Sequence, residues 1–473
     1  MVFNSYTFIF FFGVVLAVYF SPLSWRGKKI FLIGASYLFY AAWNPPFVLL
    51  LVLSTVADWE LSQRIHYATS IALRRAYLAA SLIVNLGLLG VFKYGTFLVQ
   101  SFAQGLDLLG IQYQPPALDI VLPVGISFYT FQTLSYSLDV YRRQIDPWRS
   151  FVDYALFVTF FPQLVAGPIV RARDFLPQTL EPKRVSSRHL TWGLSLLTLG
   201  LFQKTVIADG LLAPIVERVY DGANVATPLA AYIGTLAFAG QIFCDFAGYS
   251  TTAIGVAMCL GFALPDNFRF LYAAIGFSDF WRRWHISLSS WLRDYLYIGL
   301  GGSRHGALKT LRNLVVTMLL GGLWHGANWT FVAWGALHGA YLVLERAADR
   351  IAGSWDIWQT AFGRLVLGTI TFWLVCLAWV FFRADTFGKA FQIIQAGLLL
   401  RLPGEIFVSP ADVLVVISVM LTLLVLHWHL RATSLEEAVA RVPVVVRGVA
   451  LGLMLTLIAL SPGEDRAFIY FQF

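Results

Sequence analysis

The chain has 473 residues, of which 58% are hydrophobic and 13% charged, and its mean hydropathy is +0.69. Soluble domains are nearer a quarter charged, so this composition excludes a globular protein with an anchor. The formal net charge of +8 points to cytoplasmic loops under the positive-inside rule rather than to nucleic acid. Apolar stretches approaching the ~20 residues of a membrane helix recur along the whole length. The fold class is therefore all-α and polytopic, with residues 1–473 forming one integral-membrane domain. The three cysteines, Cys244, Cys259 and Cys376, lie in apolar segments without paired spacing. They support neither a disulfide framework nor a zinc site, and no histidine cluster has metal-ligand spacing.

The first predicted helix covers residues 6–20 and ends at Pro22. It has no basic stretch before it and no small-residue cleavage site after it, so it is read as a retained helix, not a signal peptide. Arg26, Lys28 and Lys29 follow, which places that loop inside and the N-terminus outside. Residues 30–42 return outward to Asn44-Pro45-Pro46, where helix cannot continue. Residues 47–57 come back to Arg64, Arg74 and Arg75. Residues 77–102 cross outward to a loop at 105–116, and 120–140 cross inward to Arg142, Arg143 and Arg149. Residues 154–169 are apolar but interrupted by Pro162, Gly167 and Pro168, with arginines on both flanks. Both ends favour the cytoplasm, which predicts a re-entrant segment.

Residues 190–208 then go outward to a loop at 209–228, and 229–262 form one long tilted or kinked helix. Residues 264–312 are the largest polar stretch and are read as a cytoplasmic interfacial segment. From Phe280 to Tyr295 aromatics and cations recur at helical spacing, which predicts an amphipathic helix in the interface. Residues 314–326 and 329–344 form a pair that enters and returns to Arg346 and Arg350. Spans at 365–382, 413–429 and 445–460 follow, with Arg431, Arg441 and Arg447 between the last two. The parity gives about eleven crossings, with the tail at 463–473 extracytoplasmic. The loop carrying Arg383, Lys389 and Arg401 falls outside as well, against the charge rule.

One residue stands out in this frame. His325 lies inside an apolar segment, flanked by Gly321, Gly322 and Gly326 and bracketed by Trp324 and Trp329. Small residues let backbones approach closely, and an ionisable side chain at membrane depth is a functional-site hypothesis by default. The alternative is a buried histidine hydrogen-bonded to a neighbouring helix. His338 is read as structural because Ala336 and Gly339 suggest tight packing, and His427 and His429 as interfacial.

Several longer motifs carry a resemblance. They are Pro123-Val124-Gly125-Ile126-Ser127-Phe128-Tyr129, Phe160-Phe161-Pro162-Gln163-Leu164, and Lys204 followed by Ala208-Asp209. Asp245-Phe246-Ala247-Gly248-Tyr249-Ser250, the block from Phe280 to Tyr295, and Leu323-Trp324-His325-Gly326 complete the set. Together the chain resembles the membrane-bound O-acyltransferases, and within them the bacterial alginate O-acetyltransferase branch. That branch acetylates alginate, cellulose or peptidoglycan in different bacteria.

The resemblance implies a funnel-shaped bundle with a tunnel through it, in the bacterial inner membrane, with acetyl-coenzyme A as donor substrate and no bound cofactor. It implies that His325 is the catalytic base, taking a proton from the acceptor hydroxyl in a site that excludes water. Trp324 and Asn328 are the substrate contacts expected beside it, with Asn328, Trp329 or nearby backbone N–H groups as oxyanion donors. Asp209 resembles a required family position, with a helix-end cap as the alternative. His285 matches a family polar position at the cytoplasmic mouth, or packs between Trp281, Trp284 and Arg282. The block around Arg282, Arg283 and Arg293 offers cations to the phosphates of the donor, or to anionic lipid.

The chain ends Phe468-Ile469-Tyr470-Phe471-Gln472-Phe473, which is similar to an F-x-Y-x-x-F ending whose tyrosine resembles an acyl carrier. The alternative is an interfacial anchor. The carrier reading implies transfer to Tyr470 and an extracytoplasmic partner enzyme that takes the acetyl group onward. Two further readings compete. A transporter or flippase would use the same polar residues as a path, and a lipid or sterol acyltransferase would use long acyl chains.

Overall fold

The computed structural model describes residues 1–116, 118, 120–353, 355–398, 404–461, 466, 468 and 469. Among the described residues every regular element is helical, and one isolated parallel bridge pairs Ala226 with Ile406. This is what lipid demands: backbone groups have no water partner there, and a helix satisfies its own. Among the described residues six helical stretches are long and apolar enough to cross a membrane: Pro45–Tyr67, Ile71–Phe92, Ser187–Tyr220, Pro228–Cys259, Ala361–Arg383 and Pro410–Leu430. Tyr6–Tyr19 and Val444–Leu460 are shorter apolar helices. The described residues divide into two compact units, one of residues 1–194 and 253–265, the other of residues 195–252 and 266–473.

In the first unit several predicted boundaries move. The second helix starts at Trp25, because Ser24 caps it by accepting the Gly27 N–H. Arg26, Lys28 and Lys29 therefore lie in its first turns and not in a loop. Lys29 is buried and ion-paired with Asp153. The helix expected at 47–57 runs from Val48 to Tyr67. Its second half is more polar, with Asp58 and Ser62 buried and Arg64 reaching back to Glu60 at 2.8 Å. The single crossing expected at 77–102 is two helices, Ile71–Phe92 and Gly95–Asp107, broken at Lys93 and Tyr94.

Residues 120–125 are not helical, and helix Ile126–Tyr141 begins after Gly125 at φ +74°. A side chain there would be strained, and its Cβ would press on the Leu164 carbonyl oxygen at 2.7 Å. The stretch at 154–169 contains helix Phe151–Thr159, a break at Phe160, and helix Phe161–Leu164 with Pro162 in its first turn, where proline is tolerated. Nine residues of helix reach only ~14 Å, well short of a ~30 Å hydrocarbon core.

In the second unit the loop expected at 209–228 is largely absent. Helix Ser187–Leu201 continues as the π-helical stretch Phe202–Leu212 and then as helix Ala213–Tyr220. Pro214 lacks an N–H and crowds the preceding turn, and the hydrogen-bond ladder just before it widens to the i→i+5 pattern. Asp209 is thus inside a continuous helix and not at an outer cap. The helix at 229–262 is observed as Pro228–Cys259.

The amphipathic helix expected from Phe280 to Tyr295 is broken. Helix Phe277–Trp281 ends before His285, and helix Ile286–Trp291 begins after it. Phe280, Trp284 and His285 are buried, with His285 wholly inaccessible. Arg383 and Lys389, which strained the charge rule, are both engaged within the protein. Arg383 pairs with Asp221 at 2.7 Å, and Lys389 donates to the Gly222 carbonyl at 2.6 Å.

Candidate active site

The site lies at the tip of a helical hairpin formed by Ala307–His325 and Trp329–Ala352. Glycine brings the two arms together. A Cβ on Gly322 would run into the Phe331 carbonyl oxygen and stand 3.1 Å from the Gly335 Cα, and one on Gly339 would stand 3.3 Å from the Val315 Cα. Packing therefore runs through Gly335 and Gly339, while Ala336 faces outward. His325 is the last residue of the first arm. Gly326 turns the chain into an extended conformation, and a side chain on it would strike the Phe331 ring. Asn328 caps the second arm: its Oδ1 accepts the Thr330 N–H at 3.1 Å and its Nδ2 donates to the Asp385 carbonyl at 2.9 Å. Both ends of the amide that was expected to hold an oxyanion are used in building the turn.

The His325 imidazole is 1% exposed. Its ring centroid is 4.9 Å from that of Trp334 and 5.4 Å from that of Phe382, both nearly edge-on. His285 is 6.2 Å away by the same measure, and Trp324 lies 5.6 Å from His285. Three of the sequence-predicted residues, His325, His285 and Trp324, thus come together inside a cluster of aromatic rings. Trp334 stacks on Trp379 at 5.8 Å, and Trp379 meets Trp284 at 5.0 Å. His338 is also buried against Trp334, at 4.6 Å between ring centroids, and its ring neighbours include Phe280 and Trp281.

His285 is held in an unusual backbone state. Its φ is +42°, the left-handed region, which costs a residue with a Cβ about 1–2 kcal/mol. Asn267 holds it there. The Asn267 carbonyl accepts the Ile286 N–H at 2.9 Å, and its Oδ1 accepts the Ser287 N–H at 3.2 Å and the Ser287 hydroxyl at 2.8 Å. Its Nδ2 donates to the Ser250 Oγ at 3.1 Å. Such strain persists where surrounding structure enforces it, commonly at functional sites. Burial holds the His285 imidazole well below its ordinary pKa range, and therefore neutral.

The remaining predicted residues sit elsewhere. Arg283 pairs with Asp279 at 3.0 Å and donates to the Arg269 and Arg431 carbonyls, so its guanidinium is occupied inside the protein. Arg282 is exposed, with its Nε on the Ser278 carbonyl at 3.1 Å. Asp209 accepts from Lys204 at 2.9 Å, and the same ammonium is ion-paired with Asp245. Lys204, Asp209 and Asp245 have side chains only 4%, 11% and 2% exposed. Phe246, the residue after Asp245, sets its ring edge-on to His285 at 4.6 Å. Tyr470 lies outside the described residues.

Sequence reasoning missed Asn267, and it named Asp245 and Lys204 only as motif residues, without their pairing. Lys204 and Asp245 each carry a charge inside an apolar helix, the same signal that singled out His325. Asn267 has no such signal, because its role depends on a segment twenty positions away.

A model of the membrane-bound O-acyltransferase family, MBOAT, matches residues 147–384. That range contains Lys204, Asp209, Asp245, Asn267, His285 and His325. The chain is 41% identical over 401 residues to the "Probable alginate O-acetylase AlgI" of Azotobacter vinelandii, covering 84% of this chain and 78% of that one. It is 40% identical over 405 residues to the protein of the same name from Pseudomonas aeruginosa, covering 84% and 74%. It is also 37% identical over 393 residues to the "Peptidoglycan O-acetyltransferase" of Helicobacter pylori, covering 78% and 73%.

Proposed function

Because the chain belongs to the membrane-bound O-acyltransferase family and is a multi-pass O-acyltransferase, we propose that it passes acetyl groups from cytoplasmic acetyl-coenzyme A toward an extracytoplasmic polysaccharide. The acceptor is an alginate-like exopolysaccharide, by similarity to the two relatives named for alginate. Peptidoglycan is the second choice, from the relative named for it. The observation that carries the reading is His325, a buried imidazole at a hairpin tip, facing His285 inside a chamber of tryptophan and phenylalanine rings.

In the proposed reaction His325 takes the proton of the attacking hydroxyl as that oxygen bonds to the thioester carbonyl carbon. Collapse of the tetrahedral adduct breaks the C–S bond, and the histidine returns its proton to the departing thiolate. A chamber lined by rings keeps water away from the thioester. Neutral His285 is placed to orient the reacting groups without adding charge. The first acceptor is the Tyr470 hydroxyl, and an extracytoplasmic partner enzyme then moves the acetyl group to polymer. Exposed Arg282 and Arg293 are the cations of this block turned outward, where donor phosphates would meet them.

The topology that suits this route has about eleven crossings, a re-entrant segment at 154–169 and both termini outside, in the inner membrane. The short broken helices at 151–164 support the re-entrant part. Internal pairing of Arg383 and Lys389 removes much of their weight from the charge count.

Intact mass of purified protein after exposure to acetyl-coenzyme A tests the route. Wild type is expected to gain one acetyl group, and Tyr470→Phe and His325→Ala none. Wild-type protein that stays unmodified while releasing coenzyme A would exclude Tyr470 as a stable carrier. Asn267→Ala is expected to lower kcat for coenzyme A release about tenfold, because a small displacement of a catalytic group is costly. An unchanged kcat would remove Asn267 from the machinery.

A further inference from the structure

The end of the described chain is tied down at three points. Arg466 pairs with Glu217 at 2.9 Å. The Phe468 ring lies 4.8 Å from Tyr249 and 5.4 Å from Phe246. The Ile469 N–H donates to Asp245 Oδ2 at 2.9 Å. Phe468 and Ile469 are both buried.

The third contact gives the buried charge cluster a purpose that helix packing does not. Asp is a poor helix-interior residue, and an ionised carboxylate in apolar surroundings is costly without partners. Asp245 has two, Lys204 on its own fold and the backbone of the chain end. A carboxylate that accepts a backbone N–H makes a bond roughly twice as strong as a neutral one. Gly248 makes the geometry possible. A Cβ there would meet the Gly200 carbonyl oxygen at 2.7 Å and the Lys204 backbone nitrogen at 3.0 Å, so glycine lets the helix carrying Lys204 lie close enough for its ammonium to reach Asp245. From Asp245 the path to the chamber is one residue long, through Phe246 to His285.

We propose that Asp245 is a positioning residue that docks the Phe468-Ile469 segment of this chain beside Phe246 and His285, with Lys204, which it shares with Asp209, holding its carboxylate in line. The docking rests on the acyl-relay reading of Tyr470 for its purpose, and on Ile469 alone for its geometry. Ile469 is the residue before Tyr470 in sequence. Asp245 itself touches no reacting atom.

The test uses full-length protein in detergent and follows carboxypeptidase removal of residues 471–473 by intact mass. Asp245→Ala deletes the acceptor, and Ile469→Pro deletes the donor while leaving the charge cluster untouched. Both are expected to speed removal about tenfold, the factor that corresponds to about 1.4 kcal/mol. Asp245→Asn keeps an uncharged acceptor and is expected to fall between them and wild type. The same variants are expected to lose kcat for coenzyme A release with the KM for acetyl-coenzyme A unchanged, a split that general damage to the fold would not give. If Asp245→Ala fails to fold, Ile469→Pro decides alone. Removal at the wild-type rate in Ile469→Pro overturns the docking. If Tyr470→Phe retains full transfer while Asp245→Ala and Ile469→Pro loosen the tail, the relay reading fails and the docking stands. If Tyr470→Phe abolishes transfer and neither variant loosens the tail, the reverse holds.

Discussion

His325→Ala is expected to lower kcat for coenzyme A release by 10²- to 10⁴-fold, the range ascribed to a positioned general base, with the protein still folded. Several features concentrate the effect in this one side chain. The imidazole is buried, its neighbours Trp334 and Phe382 bring no alternative base, and His285 stands 6.2 Å off by ring centroid. The loss of packing is limited by position, since His325 ends its helix and the turn is fixed by Gly326 and the Asn328 cap. The comparison that isolates chemistry from folding is the apparent unfolding temperature and gel-filtration profile of the variant beside its rate. A folded His325→Ala protein that releases coenzyme A at the wild-type rate would remove the histidine from the reaction. Exogenous imidazole offers a second check. Partial recovery of rate in the variant would show that a base, and not a bulky ring, is what the chamber lacks.

The burial of His325 at a hairpin turn was legible because its signal is local: one ionisable residue among glycines and tryptophans in an apolar run. The break near Pro162 was legible for the same reason. Where the sequence reading went astray, the deciding contact was distant. Asp209-Gly210 has the composition of a turn, yet the chain stays helical through it because Lys204, one π-turn earlier, supplies the carboxylate with a partner. The period of aromatics and cations from Phe280 to Tyr295 is helical, but Asn267 captures the Ile286 and Ser287 N–H groups and forces His285 out of the helix. Residues 77–102 are apolar enough for one span, and the interruption at Lys93 and Tyr94 leaves hydropathy almost unchanged. Arg283 illustrates the limit of charge counting. Its guanidinium looks available in sequence and is consumed by Asp279 and two carbonyls in the fold.

Lys204→Met is the substitution expected to cost the most stability. The side chains are similar in length, so packing changes little while the charge disappears. What remains is two carboxylates, Asp209 and Asp245, only 11% and 2% exposed, without the cation that both share. Breaking a buried ion pair by removing one member costs about 3–5 kcal/mol, because the other member is left desolvated and uncompensated. Here one deletion orphans two. The apparent unfolding temperature and the yield of monodisperse protein in detergent are expected to fall sharply. Asp209→Asn is expected to be far milder, since it leaves a complete Lys204–Asp245 pair. The pairing then sets the expectation for the double variant. Wild type has two buried carboxyl groups sharing one ammonium, and Lys204→Met leaves both without it. Lys204→Met with Asp245→Asn leaves one, and is expected to recover part of the lost stability while still failing to hold the Ile469 N–H with a charged acceptor. Recovery of folding without recovery of tail protection would separate the two jobs of the cluster, compensating charge within the helices and docking the chain end. A Lys204→Met protein as stable as wild type would mean that the two carboxylates do not depend on this ammonium, and that the cluster is not the electrostatic unit its geometry describes.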